Sequence, residues 1–199
     1  MKIIKNKIVI ASHNNGKIIE IKDIFKPFKY EILSSKDFNL TEPKETGSTF
    51  KENALLKSLY TAKKTGLVSL SDDSGLCINF LNGDPGIYSA RLAGKNKDFN
   101  VAMNILGEKM KKASNKKCKF VCALSLCWPN GFHITVKGEI FGDFIWPPKG
   151  DLGFGYDPIF QPFGMTKTFA EIMPRLKHKI SHRFVAFEKL KKKINFTNE

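Results

Sequence analysis

The stretch "KIVIASHNNGKIIEIKDIFKP", Lys7–Pro27, decides the fold class. "KIVIA" (Lys7–Ala11) is short and β-branched, so it reads as a buried strand. "SHNNGK" follows and is rich in turn formers. Ile18, Ile21, Ile24 and Phe25 then recur at helical spacing, which places a helix from near Gly16 to just before Pro27. A strand, a polar turn and a helix in that order form the repeating unit of an α/β protein.

The rest of the chain continues the alternation. "KYEIL" (Lys29–Leu33) reads as a second strand, and "TEPKETGS" as a flexible polar segment. Thr49 and Glu52 have capping-box spacing, so a helix starts there and ends near Gly66, with Leu55, Leu59 and Ala62 as its buried stripe. Asn53 and Lys57, four apart, share another face of it. "LVSLS" reads as a strand that delivers Asp72 and Asp73 at its end. Asp98 caps a helix running to about Met110. "FVCALSLCW" and "FHITVKGEIFGDFIW" read as two or three long strands, the second with a bulge or turn near Gly138, and "GDLGFGYDPIF" as a glycine-rich loop. A last helix starts at Ser181 with Phe184, Phe187, Leu190 and Ile194 inward. The expected architecture is α/β, one domain of 199 residues around a mixed sheet flanked by helices.

Composition narrows the function. Lysine and arginine number 33 against 19 acids, a formal charge of +14, which attracts nucleic acid, anionic membranes or phosphorylated small molecules. The lysines are scattered, with short runs only at Lys111–Lys112, Lys116–Lys117 and Lys191–Lys193, and no recognition motif groups them. Neither nucleic acid nor membrane is therefore an expected partner. No stretch approaches the roughly 18 apolar residues of a membrane span, and the apolar run at the N-terminus is too short for a signal peptide. The four cysteines (Cys77, Cys118, Cys122, Cys127) lack zinc spacing and read as free thiols in a reducing compartment, so a cytoplasmic location is expected.

Four stretches carry chemistry. "ASHNNGK" places free N–H groups and the positive end of a helix at one point, with Lys17 beside them. That suits a phosphate, and equally an ordinary Asn–Gly turn. Asp72 and Asp73 in "DDSGL" suit a magnesium ion, which favours one or two carboxylates plus water and substrate phosphate. Glu42 and Glu45 in the flexible segment would complete that shell, although Asp, Ser and Gly also make turns. In "GFGYDPIF", Phe154 or Tyr156 can stack on a base or simply anchor a loop. "KHKISHR" brings Lys177, His182 and Arg183 to a helix start, where cations fit poorly unless an anion is bound.

"SHNNGK", "TGSTFKENALLKS", "DDSGL", "PGIYSAR", "GFGYDPIF" and "SHR" occur in this chain in the order and spacing of the inosine triphosphate pyrophosphatase family, the dITP/XTP pyrophosphatases, which the sequence resembles from about Lys7 to Leu190. The resemblance implies a two-lobed α/β fold around a long mixed sheet, an active site in the cleft, and a homodimer. It implies Mg2+-dependent hydrolysis of ITP, dITP or XTP to monophosphate and pyrophosphate. Carried over by motif, Ser12, His13, Asn14, Asn15, Gly16 and Lys17 form the triphosphate turn, and Asp73 is the general base and a metal ligand. Ser74, Asn53 and Lys57 contact the substrate; Phe154, Gly155, Tyr156 and Asp157 form the base-binding loop; and Lys177, His182 and Arg183 contact base and phosphate. Many bacterial members carry two acids before "TG", where this chain has Lys44–Glu45, so Glu45 is taken as the second metal ligand with Glu42 as the other candidate. Rival readings are a pyrophosphatase of similar fold acting on pyrimidine or modified nucleotides, a non-catalytic nucleic-acid binder, and an oligomer with a decayed site.

Overall fold

A computed structural model describes residues 6–194 and 196. Six strands form one sheet: β1 (Lys7–Ile10), β2 (Glu31–Ser34), β3 (Val68–Ile78), β4 (Lys117–Cys127), β5 (His133–Phe144) and β6 (Phe160–Pro162), in the order β2-β1-β3-β4-β5-β6. The sheet is mixed, as expected. β1 runs parallel to β2 and β3, while β5 and β6 are antiparallel. The helices are α1 (Asn15–Phe25), α2 (Phe50–Thr65), α3 (Ser89–Leu92), α4 (Phe99–Met110), α5 (Pro174–Ile180) and α6 (His182–Lys191). None is long and apolar enough to cross a membrane.

Local chemistry sets the helix ends. The Asn14 side chain accepts from the Lys17 N–H and caps α1, and Pro27 follows its end. Thr49 caps α2 by accepting from Glu52 N, and Gly66, at φ 67°, closes it in the left-handed region. Asp98 caps α4 through Asn100 N and Val101 N.

The chain divides into two compact units, Met1–Asp73 with Cys122–Gly138 and Arg183–Glu199, and Ser74–Val121 with Glu139–His182. β3, β4 and β5 each begin in one unit and end in the other. Each unit has its own core. The first buries Ile8, Ile10, Ile21, Phe25, Leu70, Leu124, Leu126, Phe187 and Leu190. The second buries Leu76, Ile78, Met103, Leu106, Phe120, Phe144, Phe160 and Phe169.

Four elements differ from the sequence reading. β3 does not end before the acids but carries Asp72 and Asp73 in its middle and runs on to Ile78. Turn formers stay extended there because Gly75 lets another segment lie flat on the strand. A Cβ at Gly75 would fall 2.3 Å from Gly86 O and 2.4 Å from Ser89 Oγ, and Leu76 N donates to that hydroxyl at 3.0 Å. β5 passes through Gly138 without a break. α5 precedes α6 and is separated from it by the extended Ser181. The inward face of α2 is Asn53, Ala54, Lys57, Ser58, Thr61 and Ala62, while Leu55 and Leu59 are half-buried. That face is polar because it meets buried hydroxyls and carboxylates: Ser58 Oγ donates to Ser125 Oγ and Ser71 Oγ to Ala54 O.

Candidate active site

In the first unit, two adjacent acids separate into two environments. β1 pairs with β3 only as far as Ile10 opposite Leu70, so Asp72 and Asp73 lie just beyond the C-terminal end of the parallel strand. Ligands of open α/β sheets bind beyond that end. α1 starts there too, from the turn that holds Ser12–Lys17.

Asp72 is a buried hub. Its Oδ1 meets Lys17 Nζ at 2.6 Å, and its Oδ2 accepts from Arg183 Nε at 2.8 Å and from Cys122 Sγ at 2.9 Å. Arg183 also pairs with the buried Glu20 of α1. Burial opposes the charge on Asp72, but Arg183 and Lys17 together hold its carboxyl well below the usual range. Burial likewise opposes the charge on Arg183, and Asp72 and Glu20 hold that guanidinium protonated. The Cys122 thiol is pushed well up by burial and by the Asp72 charge, so it stays a proton donor.

Asp73 faces different neighbours. Lys57 Nζ lies 2.9 Å from Asp73 Oδ1 and 2.8 Å from Glu45 Oε1, a lysine held between two carboxylates. Burial raises the Asp73 carboxyl and Glu45 adds repulsion. These outweigh the attraction of Lys57 and Lys17, and the group is pushed up to about 6. Lys57 loses to burial but gains more from Asp73 and Glu45, so it is raised above the ordinary lysine value. Glu45 is less buried, and Lys57 holds its carboxyl below the usual value despite desolvation. Asp73 Oδ2 is buried and takes no hydrogen bond from the described residues.

Such an oxygen, beside a second carboxylate, fits a hard divalent cation. Among the described residues no group of three or more His, Cys, Asp or Glu could hold a metal. A cation here would therefore use Glu45 and Asp73 and fill its shell with water and ligand oxygen, the habit of magnesium. The two glutamates differ in their surroundings. Glu45 is the one bonded to Lys57, while Glu42 and Lys44 are exposed.

The rest of the Ser12–Lys17 turn is held by one local bond and two to the segment after β2. Ser12 Oγ accepts from Asn14 N at 3.1 Å, His13 Nε2 meets Leu40 O at 2.8 Å, and Asn15 accepts from Lys36 Nζ at 2.7 Å. Gly16 lies in the first turn of α1. Asn53 is fully buried and its Oδ1 accepts from Gly47 N at 2.8 Å.

The second unit holds the aromatic loop. Asp157 Oδ2 accepts from Phe154 N at 2.8 Å and from Lys177 Nζ at 2.5 Å. Lys177 Nζ stands 4.5 Å over the Phe154 ring. Gly153, at φ 78°, is required here, since a Cβ would sit 2.2 Å from Asp157 Oδ2. Phe154 and Gly155 are half-buried, but Tyr156 is buried, donates its hydroxyl to Ser89 O at 2.8 Å and meets Phe99 edge-on at 5.1 Å. Of the two rings offered for stacking, Phe154 is the less buried, and Tyr156 supports the loop. His182 stacks on Phe120 at 4.8 Å, and Ser74 is half-buried on β3. The "SHR" stretch is thus divided, with His182 in the second unit and Arg183 in the ion cluster of the first. Glu20 and Ser89 escaped the sequence reading. Glu20 lies three residues after Lys17, one turn along α1, and that spacing was the available signal.

A family model described as the Ham1 family matches residues 8–193. The chain belongs to the Ham1 family. Among its relatives, the dITP/XTP pyrophosphatase of Zymomonas mobilis is 47% identical over 187 residues, covering 92% of this chain and 90% of that protein. The dITP/XTP pyrophosphatase of Bartonella henselae is 45% identical over 204 residues, covering 94% and 95%. The solved Ham1 protein of Staphylococcus aureus superposes with a TM-score of 0.83 at 40% identity, covering 94% of this chain and 96% of that one. The HAM1 protein of Coxiella burnetii gives 0.85 at 37%, with the same coverage. This Ham1 chain therefore shares its fold along nearly its whole length with those proteins, as the six motifs imply.

Proposed function

We propose that this Ham1 chain hydrolyses non-standard purine nucleoside triphosphates (ITP, dITP, XTP) to monophosphate and pyrophosphate, using Mg2+. The observation that carries the reading is the Glu45–Lys57–Asp73 cluster with its open buried oxygen at Asp73. The names of its relatives point the same way.

Glu45 and Asp73 would hold Mg2+, which supplies charge neutralisation on the triphosphate and lowers the pKa of bound water. Lys17 and Lys57 spread positive charge over the phosphate oxygens, which is where most phosphoryl-transfer catalysis arises. Asp73 orients the attacking water and takes its proton. The water attacks the α-phosphorus and pyrophosphate leaves. Asp72 stays ionised, keeps Lys17 pointed at the phosphates and takes no proton itself.

Phe154 offers a ring for the base, and Lys177 beside it offers a cationic donor. Hypoxanthine and xanthine carry an oxygen where adenine carries an amino group, so a donor rewards the former and opposes the latter. Sites that hydrogen-bond a distinguishing group can discriminate by ~10⁴-fold. Pyrophosphate release from a panel of triphosphates tests this. ITP, dITP and XTP are expected to exceed ATP in kcat/KM by at least about a hundredfold, and equal efficiency on ATP would defeat the reading.

A further inference from the structure

The segment that carries Glu45 has no regular secondary structure from Leu40 to Gly47, yet its carboxylate must stand in one place. α2 grips it twice. Lys57 holds the Glu45 side chain at 2.8 Å, and Asn53, one turn earlier on the same face, accepts from the backbone of Gly47 at 2.8 Å. Gly47 is needed for space. A Cβ there would lie 2.7 Å from Asn53 Oδ1 and 2.7 Å from Glu52 Cβ. On the solvent side Glu52 takes Ser48 N at 2.7 Å, so the buried grip on the segment belongs to Asn53. Asn53 is 0% exposed, and its Nδ2 has no acceptor among the described residues. Its acceptor end is therefore the working end in this structure.

We propose that Asn53 is a positioning residue that fixes the Glu45 carboxylate, through the Gly47 backbone, at the place where it serves Mg2+. The proposal rests on the reading of Glu45 as a metal ligand. Lys57 meets the Glu45 side chain at its tip, and that contact by itself does not fix the backbone that carries it. A second hold two residues along the chain removes that freedom. Outer contacts of this kind typically change metal affinity or activity by about 10–100-fold when removed.

The test compares wild type with Asn53→Ala, Gly47→Ala and the double variant. Gly47→Ala breaks the same contact from the half-buried segment, which guards against a misfolded Asn53→Ala. The first readout is amide exchange of Gly47 in the nucleotide-free protein. The second is the Mg2+ concentration giving half-maximal pyrophosphate release. Each single variant is expected to speed exchange at Gly47 or its substituted alanine and to raise half-saturating Mg2+ about tenfold or more. The double variant is expected to be no worse than the poorer single one, since both remove one contact. Unchanged exchange in Asn53→Ala, an unchanged Mg2+ requirement, or multiplying effects in the double variant would overturn the proposal. A wild-type enzyme indifferent to Mg2+ would instead defeat the metal reading of Glu45, and the exchange rates would still decide whether the grip exists.

Discussion

Asp73→Asn should make the metal-free protein more stable while removing its turnover. The Asp73 side chain is 8% exposed and is raised to about 6 by burial, with Glu45 repelling it and Lys57 only partly compensating. Unfolded, the same group has a pKa of about 3.9. A carboxyl raised on folding binds its proton more tightly in the native state, so its charge opposes folding above that range. The gap corresponds to roughly 3 kcal/mol of lost stability at pH 8 and to less than about 1 kcal/mol at pH 4. Asparagine keeps the shape and removes the charge, and Lys57 keeps Glu45 as its partner. Thermal unfolding in EDTA should therefore show Asp73→Asn melting roughly 6–12 °C above wild type at pH 8. The advantage should fade as pH falls from about 6 to about 4. A variant no more stable at pH 8, or an advantage that ignores pH, would refute the placement of Asp73 as a strained, desolvated carboxylate.

The neighbouring acid should behave oppositely. Asp72→Asn leaves the buried Arg183 and Lys17 short of their shared partner and should cost about 3–5 kcal/mol in urea unfolding at pH 7. Because the Asp72 carboxyl is lowered on folding, that contribution stays present above about pH 4 and is lost only on further acidification. The aromatic loop separates into a contact and a support. Phe154→Ala should raise the KM for ITP by about 10–100-fold through lost stacking, whereas Tyr156→Phe should leave KM nearly unchanged and cost about 1 kcal/mol of stability through the lost bond to Ser89. Steady-state kinetics and denaturant midpoints on the pair check both statements.

The sequence made the local parts of this molecule legible. The β-branched run Lys7–Ala11, the Asn14 turn, the Thr49 cap and the Gly66 stop all act within a few residues, and the structure keeps each of them. Apolar periodicity failed on α2, because the helix buries Asn53, Lys57, Ser58 and Thr61 against other polar groups and leaves Leu55 and Leu59 half-exposed. It also failed on β3. Asp-Asp-Ser-Gly has the composition of a turn, and its place in the sheet between β1 and β4, with the contact at Gly75 and Ser89, keeps it extended. The motifs singled out Lys17, Lys57, Asp73 and Arg183, which the structure places in ion clusters, but not how those clusters are wired. Asp72 and Asp73 are adjacent in sequence and differ in partners. Asp72 bonds to a residue 111 positions away, and Arg183 in turn reaches back 163 positions to Glu20. Contacts at such separation leave no periodic trace in the chain. The same holds for Tyr156, whose buried hydroxyl bond to Ser89 spans 67 positions.

Hydrolysis of ITP in ¹⁸O-labelled water, with both products analysed by mass spectrometry, tests the chemistry most directly. Attack by water beside Asp73 on the innermost phosphorus predicts one labelled oxygen in the inosine monophosphate and none in the pyrophosphate. Label in the pyrophosphate, or orthophosphate as the released product, would contradict it.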